Sequence, residues 1–313
     1  MALSPFLKPL TLLLLAALPL GAPAAEPFLR SGDVVAVAGG EEMVASAESG
    51  EMELALTVAL PELHLTFRSL AWEGDTVFEQ HRDLNYPPLE DQLAKMKASA
   101  VMLQFGQMES LAGPGKLQDF IATYEKLIDR LSSDGRRLLL IIPHEFARPA
   151  DSRLPDLTER NRDVNAYAAA IRELAKRRAL PVAEWTFSSV SAVTVLTRDG
   201  IHLNAQGEAL RAMGIAGALG SSDAGVGSVP KTPEVEKLRR LIQQKNRLWF
   251  NYYRPQNWAF LAGDRVNQPS SRDHIDRNKR WFPDEMEQYV PLIEQKDRAI
   301  WEAAAALPKK TAN

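Results

Sequence analysis

The chain has 313 residues, 45% hydrophobic and 25% charged, with a formal net charge of −3. That balance supports a buried core and excludes a collagen-like chain, a disordered acidic tail and a coiled-coil rod, while the lack of a polybasic run argues against a nucleic-acid partner. The absence of cysteine excludes disulfide frameworks, thiolate zinc sites, Cys nucleophiles and cysteine-linked lipid anchors.

Met1–Ala25 carries one cation, Lys8, then an apolar run from Leu10 to Leu20 and small residues at Ala22, Ala24 and Ala25. This is the pattern of a secretory signal with an A-x-A cleavage site. The run is short for a bilayer span, and Pro19, Gly21 and Pro23 interrupt it where an anchor would continue. Cleavage after Ala24 or Ala25 predicts a secreted or periplasmic protein with no membrane span. Loss of Lys8 takes its net charge to −4.

Asp33–Ala38 is a short β-branched run that ends at Gly39-Gly40, the mark of a buried strand with a sharp exit turn. Glu42–Leu60 reads as helical in part. Leu63–Leu70 alternates as a second strand, with His64 inside it as a packing residue. Leu89–Ala98 follows as a helix, and Ala100–Phe105 as a third strand. Leu117–Leu131 spaces Phe120, Tyr124, Leu127, Ile128 and Leu131 for one helix face. Arg137–Ile142 is the most apolar strand and stops at Pro143. Leu157–Arg178 is a long helix with Asn161, Asn165 and Arg172 on its surface, Leu180–Trp185 a fifth strand, and Ala205–Leu219 a helix.

Alternating apolar strands and helices predict an α/β fold, a three-layer α/β/α sandwich around a parallel five-stranded sheet. Ligands in such sheets sit beyond the carboxyl ends of the strands. Residues 1–25 are read as the signal, 26–219 as the α/β domain and 220–233, rich in Gly, Ser and Pro, as a linker. Residues 234–313 form a helical, aromatic-rich C-terminal extension that holds four of the six tryptophans. Its predicted helices are Glu234–Tyr253 and Pro283–Ala306, separated by an irregular polar loop over Gly263–Phe282.

Asp199-Gly200-Ile201-His202 follows the fifth strand. An Asp three residues before a His can orient the imidazole as a base, and it can equally be a helix cap near a packed His. His144 follows a strand end and could face the same pocket, while His81 sits in a polar loop. No two histidines have metal-ligand spacing, so neither a zinc site nor a cofactor is expected.

Taken together, the blocks resemble the SGNH (GDSL-type) hydrolases, a superfamily of esterases, lipases and carbohydrate deacetylases. Residues 196–207 (LTRDGIHLNAQG) are similar to its last block, and the resemblance extends from about Gly32 to Leu219. It implies Asp199 and His202 as catalytic partners. Trp72-Glu73-Gly74-Asp75-Thr76 is similar to the block whose glycine, here Gly74, lends an N–H to the oxyanion hole. Phe105-Gly106-Gln107-Met108-Glu109 stands where the family carries G-x-N-D or G-x-N-E, and Pro143-His144-Glu145-Phe146 where it carries a post-strand proline segment. Some members with a signal peptide also carry a K-N-x-x-F…R-P-x-N tail like Lys245–Asn257.

Two positions depart from the pattern. The family's nucleophile turn, G-D-S, is Gly39-Gly40-Glu41 here, so Glu41 stands in place of the serine, and the oxyanion Asn falls on Met108. A carboxylate has no proton to give up to His202 and cannot perform serine acyl transfer. Loss of one oxyanion donor costs about 10²–10³ in rate. A serine esterase would need a substitute such as Ser110 or Thr76.

Glu41, Glu42, Asp75, Glu109, Asp199 and His202 could converge at one rim. They would then bind a divalent cation through oxygens or run acid–base hydrolysis of a sugar, or they are solvated loop acids. Gly39, Gly40, Asp75, Gly106, Met108, Glu109 and His144 are the expected ligand-contacting positions. In the tail, Arg254, Asn257, Trp258, Arg272, His274 and Trp281 either wall the pocket or staple the helices to the sheet. The expectation is an exported member of the ester-hydrolase superfamily with a degenerate site. The expected ligand is a small molecule or carbohydrate, acylated carbohydrate included, and a non-catalytic binding domain for a carbohydrate or a partner is the alternative.

Overall fold

The structure is a computed structural model that describes residues 27–82, 85–185, 195–219 and 229–308. The expected signal segment and most of the expected linker lie outside the described residues. The elements in order are β1 (Val34–Gly39), α1 (Glu41–Ser49), α2 (Glu51–Ala59), β2 (Thr66–Ser69), α3 (Leu89–Lys95), β3 (Ala100–Gln104) and α4 (Leu117–Leu131). There follow β4 (Arg137–Ile141), α5 (Asn161–Arg177), β5 (Val182–Ala183), α6 (Ala205–Ala218), α7 (Pro233–Tyr253), α8 (Trp281–Glu287) and α9 (Tyr289–Ala305).

The five strands pair in the order β2-β1-β3-β4-β5, all parallel. Their side chains alternate between two cores. Ala36, Ala38, Val101, Leu103, Leu138 and Leu140 pack toward α3, α4 and α5. Val35, Val37, Ala100, Met102, Leu139 and Ile141 pack toward α1, α2 and α6. Burial on both faces is why the strands read as continuous apolar runs.

The structure refines several sequence boundaries. Gly50, in the left-handed region at φ 72°, divides the expected single helix into α1 and α2. The second strand begins only at Thr66. Pro61–Leu63 is a 3₁₀ turn, and His64 takes a left-handed conformation and stacks on Trp301 at 5.7 Å, so it is not a strand residue. β5 is two residues long, and the last expected helix is two, α8 and α9.

The C-terminal helices close the free edge of the sheet. The N–H groups of Thr66 and Leu70 bond to Asp33 O, just before β1, and to Val37 O within it, so the carbonyls of Leu65, Phe67 and Ser69 point outward. Trp301 Nε1 donates to Leu65 O at 2.9 Å, Lys245 Nζ to Phe67 O at 3.1 Å and Trp249 Nε1 to Ser69 O at 2.6 Å. Behind them lie two ion pairs. Lys245 Nζ meets Glu53 Oε2 at 2.7 Å, and Arg68 forms a two-pronged pair with Asp297 at 2.5 and 3.1 Å. All four side chains are buried, and burial pushes Glu53 up and Lys245 down in pKa, the direction in which each loses charge.

Candidate functional site

Strand order reverses between β1 and β3, the position at which an open parallel sheet forms a crevice. β1 ends at Gly39, where a Cβ would lie 2.5 Å from Gln104 O of β3, so only glycine permits this close approach. Glu41 follows at the first turn of α1. Across the crevice, Thr197 and Leu203 form an isolated bridge that holds the Asp199–His202 loop. Gly200 takes φ 91° inside that loop, and a Cβ there would meet Ala147 O at 2.5 Å. Asn204 then caps α6, accepting from Gln206 and Gly207 N–H at 3.0 Å.

These elements bring Glu41, His202 and Asp199 into one line. His202 Nδ1 lies 2.6 Å from Asp199 Oδ2, and His202 Nε2 lies 3.0 Å from Glu41 Oε1. Asp199 Oδ1 also accepts from Ile201 N–H at 3.0 Å and His202 N–H at 2.8 Å. Partial burial works against both charges. The hydrogen bonds of the pair outweigh it, holding Asp199 below the ordinary carboxylate range and carrying His202 above its ordinary value, with Glu41 and Glu42 adding to the effect. The imidazolium is therefore favoured, and both ring nitrogens face carboxylates.

The other acids converge on the same crevice but are engaged elsewhere. Glu42 meets Arg211, fully buried beneath the floor, at 2.9 Å, and Glu208 meets it at 2.6 Å. Asp75 forms a two-pronged pair with Arg82 at 2.7 and 2.8 Å. Glu109 accepts from Gly106 N–H at 2.7 Å and Val77 N–H at 2.9 Å, tying the two loops together. Burial raises the pKa of Glu42, Asp75 and Glu109 despite these partners. Among the described residues no three His, Asp or Glu side chains are arranged to hold a metal ion. The expected carboxylate rim thus resolves into Glu41 and Asp199, both paired with His202, and three acids braced elsewhere.

The remaining positions divide. Gly40, Gly106 and Met108 line the crevice, Met108 being 48% exposed where an amide donor is expected. Gly74 sits in an open turn at φ 83°, and its N–H has no acceptor among the described residues. His144 does not line the crevice. It lies buried behind it, its Nε2 2.9 Å from Ile201 O, and burial lowers its pKa to about 4. The neutral ring donates to that carbonyl and braces the His202 loop. Ser110 is fully buried and donates to Gln107 O at 2.6 Å, Thr76 Oγ1 accepts from Glu79 N–H, and His202 Nε2 faces Glu41 rather than either hydroxyl.

Residues 51–210 match the model of the GDSL-like lipase/acylhydrolase family. The chain belongs to this family. The match starts beyond the Gly39-Gly40-Glu41 turn and takes in the loops of Gly74, Gly106 and His202. Among solved structures, a gut microbial diltiazem-metabolizing enzyme is similar at 11% identity and a TM-score of 0.64, over 88% of this chain and 96% of that one. An acetylxylan esterase from Geobacillus stearothermophilus aligns at 15% identity and a TM-score of 0.47, over 61% and 96% of the two chains. Another acetyl xylan esterase aligns at 18% and 0.47, over 59% and 98%. No curated protein matches the sequence. The first of these likenesses shows the shared fold, at a coverage too large for residues 27–219 alone.

Of the six tail residues none lines the crevice, and Arg254 alone contacts a loop beside it. It pairs with Glu73 Oε2 at 2.5 Å and lies over Trp72 at 4.1 Å, with Arg82 on the ring at 4.4 Å. The loop that carries Gly74 is thus gripped from the extension. Asn257 and Trp258 belong to a 3₁₀ turn, Trp281 packs on Phe282, and Arg272 and His274 lie in the polar loop, none of them lining the crevice. Arg82 and Arg211 are the residues that sequence reasoning missed. Asp75 lies seven positions from Arg82; Arg211 joins Glu208, three positions away, to Glu42, 169 positions away, and only the Glu208 spacing is a local pattern.

Proposed function

We propose that this chain is an exported GDSL-family domain that has given up serine-type ester hydrolysis and retains its crevice to bind a small, acyl- or hydroxyl-bearing ligand. The Glu41–His202 pair at 3.0 Å carries this reading. In the family's chemistry the imidazole takes a proton from a serine hydroxyl. Here it meets a carboxylate that has none to give and that favours the imidazolium, the wrong form for a general base. The amide donor expected at position 108 is also missing, while Asp199, His202 and Gly74 remain as scaffold. The family match supports an acyl-bearing ligand, and the pattern of residues 1–25 supports export.

Hydrolysis of 4-nitrophenyl acetate tests the reading. The wild-type protein is expected to show no turnover above its His202→Ala variant. Glu41→Ser restores the Ser-His-Asp order and should gain turnover that disappears on adding His202→Ala. Adding Met108→Asn to Glu41→Ser should raise the rate by about 10²–10³, the usual worth of one oxyanion donor. Wild-type turnover that is lost in His202→Ala would overturn the proposal and make Glu41 the candidate nucleophile.

A further inference from the structure

The crevice at His202 is not the roomiest recess near the site. Between α1 and α7 lies a groove of about 230 Å³, floored by Ser69 and Ala71 at the end of β2. One loop separates it from the crevice, with Glu73 on the groove side and Asp75 on the crevice side. Its volume falls below the roughly 300–1,000 Å³ of drug-sized sites, so it suits a single ring.

Its wall combines an apolar face with both kinds of hydrogen-bonding group. Phe250 is 37% exposed in the groove, with the guanidinium of Arg254 5.0 Å and that of Arg247 5.7 Å from its ring centre. Arg247 has no ion-pair partner among the described residues, and neither has the exposed Glu48 opposite. Gln243 and Asn246 are pinned by their amide N–H groups to Ser49 O at 3.1 Å and Ala47 O at 2.8 Å. Pinned in that way, each keeps its amide oxygen as a fixed acceptor. The groove thus offers an aromatic plate, one free cationic donor and three acceptors on rigid helices. Arg254 and Glu73 are spent on each other at the rim, which leaves the wall balanced in charge.

We infer that this groove is a binding subsite for a neutral carbohydrate ring. Its C–H face would lie on Phe250. Its hydroxyls would accept from Arg247 and donate to Glu48 and to the amide oxygens of Gln243 and Asn246. A hydroxyl both donates and accepts, which matches a wall holding both partners, whereas a carboxylated sugar would face the unpaired Glu48. The inference rests on the reading of the domain as a binding module and adds the α1–α7 groove as a second subsite beside the His202 crevice.

Calorimetric titration of the whole mature protein with xylobiose, cellobiose and diacetylchitobiose tests it, with glucuronate as the charged control. At least one neutral sugar should bind saturably and glucuronate should not. Phe250→Ala and, separately, the surface variant Arg247→Ala should each raise the dissociation constant at least tenfold. No saturable binding of any neutral sugar would overturn the inference, and the acetate assay above would still stand or fall on its own. Binding weakened by His202→Ala and untouched by both groove variants would also overturn it, placing the ligand in the crevice and keeping the binding-domain reading.

Discussion

At the mouth of the crevice, His202 sits between Asp199 and Glu41, and the Glu41 side chain is 53% exposed. At the β2 edge, the Glu53–Lys245 and Arg68–Asp297 pairs hold four side chains of which none is more than 9% exposed. Both regions are built of ion pairs, yet water treats them differently. An open pair is screened and can part at little cost, whereas a buried charge without its partner is expensive. The first arrangement is free to change chemistry over time. The second is tied to holding α7 and α9 on the sheet.

Breaking the buried set should have the largest effect. Lys245→Met leaves Glu53 buried and unpaired, and the expected loss in chemical denaturation is about 3–5 kcal/mol. Adding Glu53→Leu should recover most of it, because an apolar replacement of a whole buried pair is often neutral.

The next effect sharpens the contrast within the crevice. His144 is held neutral by burial, with a pKa of about 4 against 6.5 in the unfolded chain. The unfolded state therefore binds the extra proton first, and stability falls as pH drops from about 6.5 toward about 4, by about 3 kcal/mol in all. His202 has the opposite sign. Its raised pKa stabilises the fold below the unfolded value and is lost as pH rises through the folded one. Denaturation at stepped pH, with His144→Gln as the comparison, reads the first. Histidine ring resonances followed against pH read both, and a His144 that titrates with His202 would erase the distinction.

Trp249→Phe removes the N–H to the half-buried Ser69 O together with part of a ring packed in the core, and should cost about 1–3 kcal/mol. Smallest of all, Glu41→Gln should change stability by less than about 1 kcal/mol. It should nevertheless lower the His202 pKa, because Glu41 is one of the charges that raise it. A large stability loss in Glu41→Gln would mean that the open pair is bound into the fold as tightly as the buried one.

The fold is readable because each buried strand is an apolar run and each amphipathic helix keeps its period. The pattern misleads where one residue changes the backbone. The Leu63–Leu65–Phe67 alternation looks like strand, but His64 at φ 49° breaks it, and Gly50 does the same to the first helix. The Glu41–His202 contact is legible only through spacing against a family pattern, since nothing local links positions so far apart. Lys245 leaves a usable signal. It falls on the stripe of Val235, Leu238, Ile242, Trp249 and Tyr253, the buried face of α7, where a lysine needs a buried acid. The Arg211 cluster shows in sequence only as the Glu208–Arg211 pair at i,i+3, which reads as an exposed surface pair until the tertiary fold covers it.

The donors that Trp301, Lys245 and Trp249 supply to β2 also decide how this protein meets other chains. An uncovered parallel edge is a template on which a second strand can add, and proteins blunt such edges with charge, bulges or covering helices. Here the cover is encoded more than 170 residues downstream of the strand it protects. A chain shortened to residue 219 would keep the GDSL-family blocks yet offer its outer strand to its neighbours, so self-association, rather than a smaller working domain, is what trimming the tail should produce.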